Sequence, residues 1–211
     1  MIIVNFKTYH SGTNALKLAE ELDEVADNKV LFAVQATDIR LISQSVKTKI
    51  LAQHVDPFNP GRNTGSVLPR AVKDAGAVGS LINHSEKGIV FERIIKTIKK
   101  CRENKLKTIV CVPDLVTAEK VVNYKPSMIA FEDPALISTG KSISTTKPDK
   151  VKKFASLLKG TGVKPLCGAG ISTKSDVKAA LKLGVKGVLA ASAVAKAKNP
   201  ASVLKSFLEV I

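Results

Sequence analysis

Short apolar runs recur along the chain, separated by stretches where apolar residues return every three or four positions. The runs are IIVNF at 2–6, VLFAV at 30–34, KILAQ at 49–53, AVGSLI at 77–82, TIVCV at 108–112, SMIAF at 127–131, KPLCG at 164–168 and KGVLAA at 186–191. Most show no apolar–polar alternation, the pattern of a strand buried on both faces of a parallel sheet. No linker, low-complexity tract or composition break divides the chain.

The intervening stretches predict amphipathic helices. In ALKLAEELDEVA, Leu18, Leu22 and Val25 form one stripe, and in VFERIIKTIKKCR Phe91, Ile94, Ile95 and Ile98 share a face. DIRLISQSV, LPRAVKDAG, LVTAEKVVN, KPDKVKKFASLLK, STKSDVKAALKLG and NPASVLKSFLEVI read the same way. Start signals stand at Thr173 with Asp176, at Asn199 before Pro200 and at Thr146 before Pro148. Gly76 and Gly184 occupy positions for left-handed C-terminal caps.

Eight strands alternating with eight helices fit a doubly wound open sheet or a (β/α)8 barrel. The first strand leads into KTYHSG, without the glycine fingerprint of a dinucleotide fold, so a single barrel over residues 1–211 is the expected architecture. At 211 residues it is a compact barrel with short helices and loops. No apolar run is long enough to cross a bilayer, and MIIVNFKTYH lacks the basic start of a secretory signal.

Composition narrows the chemistry. Cys101, Cys111 and Cys167 are far apart without ligand spacing, so no metal site is expected, and reduced thiols suit a cytoplasmic location. The formal net charge of +15 raises a nucleic-acid reading, but the lysines are spread along helix-like patterns and aromatic residues are scarce. A solvated basic surface is the simpler account, and its field would also draw in a small anionic substrate.

In a barrel, chemistry gathers where the strands end. Those ends carry Asn5 and Lys7, Gln35, Gln53 and His54, Asn83 and His84, Cys111, Glu132, Gly168 to Gly170, and Ala191 with Ser192. Glu132 closes an apolar strand and opens the loop DPALISTG; a desolvated carboxylate there is a stronger proton acceptor, and the loop has the composition of a lid. His84 precedes a helical pattern, whose N-terminus favours an uncharged imidazole. Lys7 shares a face with Asn5, suited to holding negative charge. GAGIS at 168–172 and LAASAV at 189–194 are small-residue turns of the kind that cradle phosphate. Each residue also has a purely structural account: a salt-bridged acid, a capping histidine, a surface lysine or close packing. His10 and His54 are read as structural.

VNFKTY, HVDPFNPGRNTGSVLP, SLINHSEKG, TIVCVPD, FEDPALISTG, CGAGIS and GVLAASAV together resemble the archaeal type of triosephosphate isomerase over the whole chain. The resemblance implies a cofactor-free, glycolytic and gluconeogenic isomerase with Glu132 as base, His84 as neutral electrophile and Lys7 stabilising negative charge. It further implies substrate binding by Asn5, Lys7, Ile137, Ser138, Gly170, Ala191 and Ser192, with Glu86 and Cys111 beside the site. Thr64 and Gly65 match the tip of a loop that enters a partner subunit, implying a homodimer or homotetramer, with no nucleic-acid or membrane partner. The lid reads ISTG where the family usually has IGTG, and Ala193 stands where relatives often have glycine. Another phosphosugar barrel and a basic binding module are the rival readings.

Overall fold

The computed structural model describes residues 1–136 and 139–211. Eight parallel strands pair in sequence order and close into a barrel: β1 Ile2–Asn5, β2 Val30–Val34, β3 Lys49–Ala52, β4 Gly79–Ile82, β5 Lys107–Val112, β6 Met128–Phe131, β7 Lys164–Cys167 and β8 Val188–Ala190. Closure is made where β1 pairs with β8, Ile2 opposite Val188 and Val4 opposite Ala190. Every expected strand is present, with ends displaced by at most two residues. No described helix is long and apolar enough to cross a membrane.

Both faces of the strands are buried, which is why the sequence shows runs instead of alternation. Ile3, Leu31, Leu51, Leu81, Ile109 and Leu166 fill the interior. Their neighbours Ile2, Val4, Phe32, Ile50, Ile82 and Val110 face the helices. Each such side chain contributes roughly 1.5–3 kcal/mol on burial, so the closed strands form a solid base under the rim.

Among the described residues the helices are α1 Gly12–Asp23, α2 Ile39–Ser45, α3 Pro69–Asp74, α4 Phe91–Glu103, α5 Leu115–Val122, α6 Ile143–Thr146, α7 Pro148–Leu157, α8 Lys174–Lys182, α9 Ser192–Ala195 and α10 Pro200–Leu208. The eight expected helices are all present; α6 and α9 are single turns that carry no periodic signal. Buried Leu18 and Leu22 form the expected stripe of α1, with Val25 packed at its margin just beyond the helix. In α4 the buried stripe is Ile94, Thr97, Ile98 and Cys101, leaving Ile95 at the edge. A threonine and a cysteine complete the i, i+3, i+4, i+7 face that Ile95 had been expected to share.

Thr173 and Asp176 form the expected capping box of α8, and Asn199 accepts from the Ser202 N–H at the start of α10. Gly76 and Gly184 adopt positive φ at their helix ends. Thr146 does not cap α7: it closes α6, and Lys147 takes the cap position without a side-chain bond.

The α8 cap is a stability test. Asp176 Oδ2 accepts from the Ser172 and Thr173 N–H groups at 3.1 and 2.9 Å and from the Thr173 hydroxyl at 2.9 Å. Asp176→Ala leaves those donors without their acceptor and is expected to cost about 1–3 kcal/mol in urea unfolding. A loss below about 0.5 kcal/mol would show that water satisfies this helix start.

Candidate active site

At the C-terminal ends of β5 and β6 the side chains follow the strand pleat. Ile109 and Cys111 on β5, and Met128 and Ala130 on β6, point into the interior. Glu132, two residues beyond Ala130, therefore continues inward at the mouth. It is 5% exposed, and among the described residues its Oε2 has no hydrogen-bond partner. Burial pushes its pKa above the ordinary 4.5, opposed by the neighbouring His84 ring, the Cys111 thiol and the Lys7 ammonium.

Glycine makes that position possible. A Cβ on Gly168, at the end of β7, would lie 2.6 Å from Glu132 Oε1. Gly170 has φ +70°, and a Cβ there would come within 2.0 Å of the Lys141 carbonyl oxygen. The backbone of the β7 turn thus touches the far end of the Glu132 loop directly, and the Ile143 N–H donates to Ala169 O at 3.2 Å.

His84 is 6% exposed, with Nε2 lying 3.8 Å from Glu132 Oε2. Its Nδ1 accepts from the Glu86 backbone N–H at 3.2 Å. A nitrogen that accepts has its lone pair free, so the neutral ring carries its proton on Nε2, facing Glu132 and the mouth. One expectation needs correction. His84 does not start the long helix: it caps a three-residue 3-10 turn, Ser85–Lys87, and α4 begins separately at Phe91. Its environment is set by the hydrogen bond from Glu86, not by the end of α4.

Lys7 sits at the end of β1 with φ +48°, its Nζ 2.6 Å from Glu86 Oε1. Asn5 Oδ1 accepts from the Lys7 N–H at 3.0 Å. Gln53 completes the clamp, donating to Asn5 Oδ1 at 3.2 Å and to the Lys7 carbonyl at 2.8 Å. Its clamping role was not apparent from the sequence, although its place two residues beyond inward-facing Leu51 was the available signal.

Asn5, Lys7, His84 and Glu132 line one cleft together with Gly170, Ala191 and Ser192. Ala193 lies within α9, where alanine is at ease, so its departure from glycine brings no backbone strain. Ile137 and Ser138 lie outside the described residues. Thr64 and Gly65 form an exposed turn between β3 and α3, well separated in sequence from the cleft residues. His10 bonds the Ala195 carbonyl at 2.8 Å and His54 pairs with Asp56 at 3.2 Å. Gln35 reaches the His10 carbonyl at 3.3 Å. A larger hollow, about 720 Å³, opens beside the N-terminal residue Met1, with Lys159, Lys164 and Lys186 around it.

The cleft brings together a desolvated carboxylate, an imidazole N–H donor and an ammonium, which suits proton transfer next to a carbonyl. The family model for triosephosphate isomerase matches residues 1–210. The chain is 41% identical to the triosephosphate isomerase of Methanocaldococcus jannaschii, covering 100% of both chains. It is 41% identical to that of Methanothermus fervidus, over 99% of this chain and 97% of the relative. It is 39% identical to that of Saccharolobus solfataricus, over 99% and 94%.

The buried carboxylate has a consequence for stability. Because its native pKa lies above 4.5, Glu132 holds its proton more tightly folded than unfolded. That stabilisation is complete below the unfolded value and is lost as pH rises through the native one. Glu132→Gln, permanently neutral, should therefore be more stable than the parent protein near pH 8, with the difference shrinking as pH falls toward 4.5. Urea midpoints across that range measure it; a gap that stays constant with pH would contradict the burial argument.

Proposed function

Since the chain belongs to the triosephosphate isomerase family, we propose that it interconverts dihydroxyacetone phosphate and D-glyceraldehyde 3-phosphate through an enediolate. The 3.8 Å approach of His84 Nε2 to Glu132 Oε2 inside one buried cleft is the observation that supports this reading most directly. At that separation one small substrate lying against both groups can turn a C–H toward the carboxylate and an adjacent oxygen toward the imidazole.

Glu132 takes the proton from the carbon beside the carbonyl and returns it to the neighbouring carbon. Its raised pKa makes it a stronger base than a solvated carboxylate. The His84 Nε2–H donates to the carbonyl oxygen as negative charge builds there and relays a proton between the two substrate oxygens, so that one becomes a hydroxyl as the other becomes the carbonyl. A carboxylate base paired with a neutral imidazole is a feature for which triosephosphate isomerases are the well-known example. Lys7 offsets the charge of the enediolate and, with Asn5, holds the substrate. The phosphate rests on the backbone at Gly170, Ala191 and Ser192, with Ile137 and Ser138 of the lid. The acidified C–H adjoins a carbonyl, so the reaction asks for no cofactor.

Residues 1–211 then act as one catalytic domain in glycolysis and gluconeogenesis, with a cytoplasmic location suited to three buried free thiols. The turn at Thr64 and Gly65 is the proposed contact with a second copy of the chain, in a dimer or tetramer. Asp56 braces its base, accepting from the Val67 N–H at 2.9 Å and from Arg93 at 2.7 Å.

A coupled assay with each triose phosphate tests the roles. Glu132→Gln is expected to lower kcat by about 10²–10⁴-fold, and Glu132→Asp by less, because a base remains but is set back. His84→Gln should lose about 10²-fold. The acid limb of kcat/KM against pH should fall at a pKa above 4.5 and vanish in Glu132→Gln. Near-parental turnover by Glu132→Gln would remove Glu132 as the base.

A further inference from the structure

The strand pleat alone would aim His84 the wrong way. In β4, Leu81 faces the barrel interior and Ile82 faces the helices. Continued alternation would turn Asn83 inward and His84 outward. Asn83 instead adopts φ +60°, a left-handed backbone that breaks the alternation and brings the next side chain over the mouth. Glycine would adopt that conformation with less strain, so the backbone requirement by itself does not explain a side chain here.

The carboxamide has two partners, and they are the informative ones. Nδ2 donates to the Cys111 carbonyl at 2.9 Å, and Oδ1 accepts from the Ile89 N–H at 3.0 Å. The opposite amide orientation would set donor against donor and acceptor against acceptor. The Ile89 bond closes the segment 83–89 on itself. Within it the Lys87 N–H donates to the His84 carbonyl at 2.7 Å and the Glu86 N–H to Nδ1 at 3.2 Å. The Cys111 bond ties the segment to β5, at the residue whose thiol lies against Glu132.

We propose that Asn83 is a positioning residue: it fixes the His84 ring, in its Nε2–H tautomer, in register with Glu132. One side chain links the strand carrying the imidazole to the strand that flanks the carboxylate. The assignment rests on the reading above in taking His84 as the electrophile.

Two variants separate positioning from simple stability. Asn83→Gly keeps the left-handed backbone and removes both bonds. Asn83→Asp keeps an acceptor for Ile89 and sets an oxygen against the Cys111 carbonyl. Readouts are Tm, kcat and KM for dihydroxyacetone phosphate, and the ¹⁵N resonances of the His84 ring in the free protein. Both variants are expected to lose at least about tenfold in kcat while KM stays within about twofold. The His84 signals should move from the Nε2–H pattern toward a mixture of tautomers. If the glycine variant does not fold, the aspartate variant carries the same readouts. Parental kcat and an unchanged tautomer, at whatever Tm, would overturn the proposal, as would a raised KM with intact kcat. A parental protein without isomerase turnover would refute the functional reading instead, and the ¹⁵N signals would still decide the role of Asn83.

Discussion

The cleft depends on a carboxylate being held where water cannot reach it. Burying an unpaired carboxylate is costly, and at Glu132 nothing among the described residues hydrogen-bonds Oε2. The barrel can bear that cost because its stability lies elsewhere. The layers beneath the rim and the shell between strands and helices are almost wholly apolar and fully buried. A carboxylate set on a loop would find solvent; set two residues past an inward-facing alanine on β6, it cannot. The same desolvation that weakens the fold raises the proton affinity of this carboxylate, so stability and basicity draw on one interaction with opposite signs.

A second constraint is the backbone of the rim. Lys7, Asn83 and Ala169 all take left-handed conformations without being glycine. Such residues are uncommon, and they concentrate where the surrounding structure holds them in place. Here each stands at or just past a strand end, where a regular pleat would carry the following residues away from the centre. The holding groups are visible in two cases: Gln53 and Asn5 grip the Lys7 backbone, and the Asn83 side chain grips its own loop. The third, Ala169, is gripped through its carbonyl by the Ile143 N–H.

These two constraints explain what could be seen in the residues alone. The barrel was legible because strands buried on both faces leave unbroken apolar runs, and because eight of them alternate with amphipathic stretches. Glu132 and Lys7 were legible because simple alternation from Ala130 and Asn5 predicts their direction. His84 was not legible in that way: its direction depends on a left-handed residue, and asparagine adopts that conformation without advertising it. The 3-10 turn after His84 was taken for the start of α4 because SEKG offers the polar character of a helix start, while the interruption at Gly88 to Val90 has no periodic signature. Gln53, Asn83 and the stripe completed by Thr97 and Cys101 share that difficulty. Polar side chains reveal their partners only when distant strands are brought side by side.

Charge acts on two length scales in this molecule. The excess of 33 lysines and arginines over 18 acids produces a long-range field that salt screens beyond roughly 8–10 Å. Inside the cleft the arrangement is local: Lys7, with its side chain 9% exposed, is paired to a Glu86 whose side chain is 53% exposed. A pair with one partner this wet is worth only about 0–1 kcal/mol, so Lys7 can turn from Glu86 to an anionic guest at small cost. Glu86 holds the ammonium in place meanwhile, and its backbone N–H holds the imidazole. A fully buried partner would have bound the lysine too firmly to release it. Partial exposure of Glu86 is therefore what lets one short turn both orient the ring and hold its neighbouring cation without locking it.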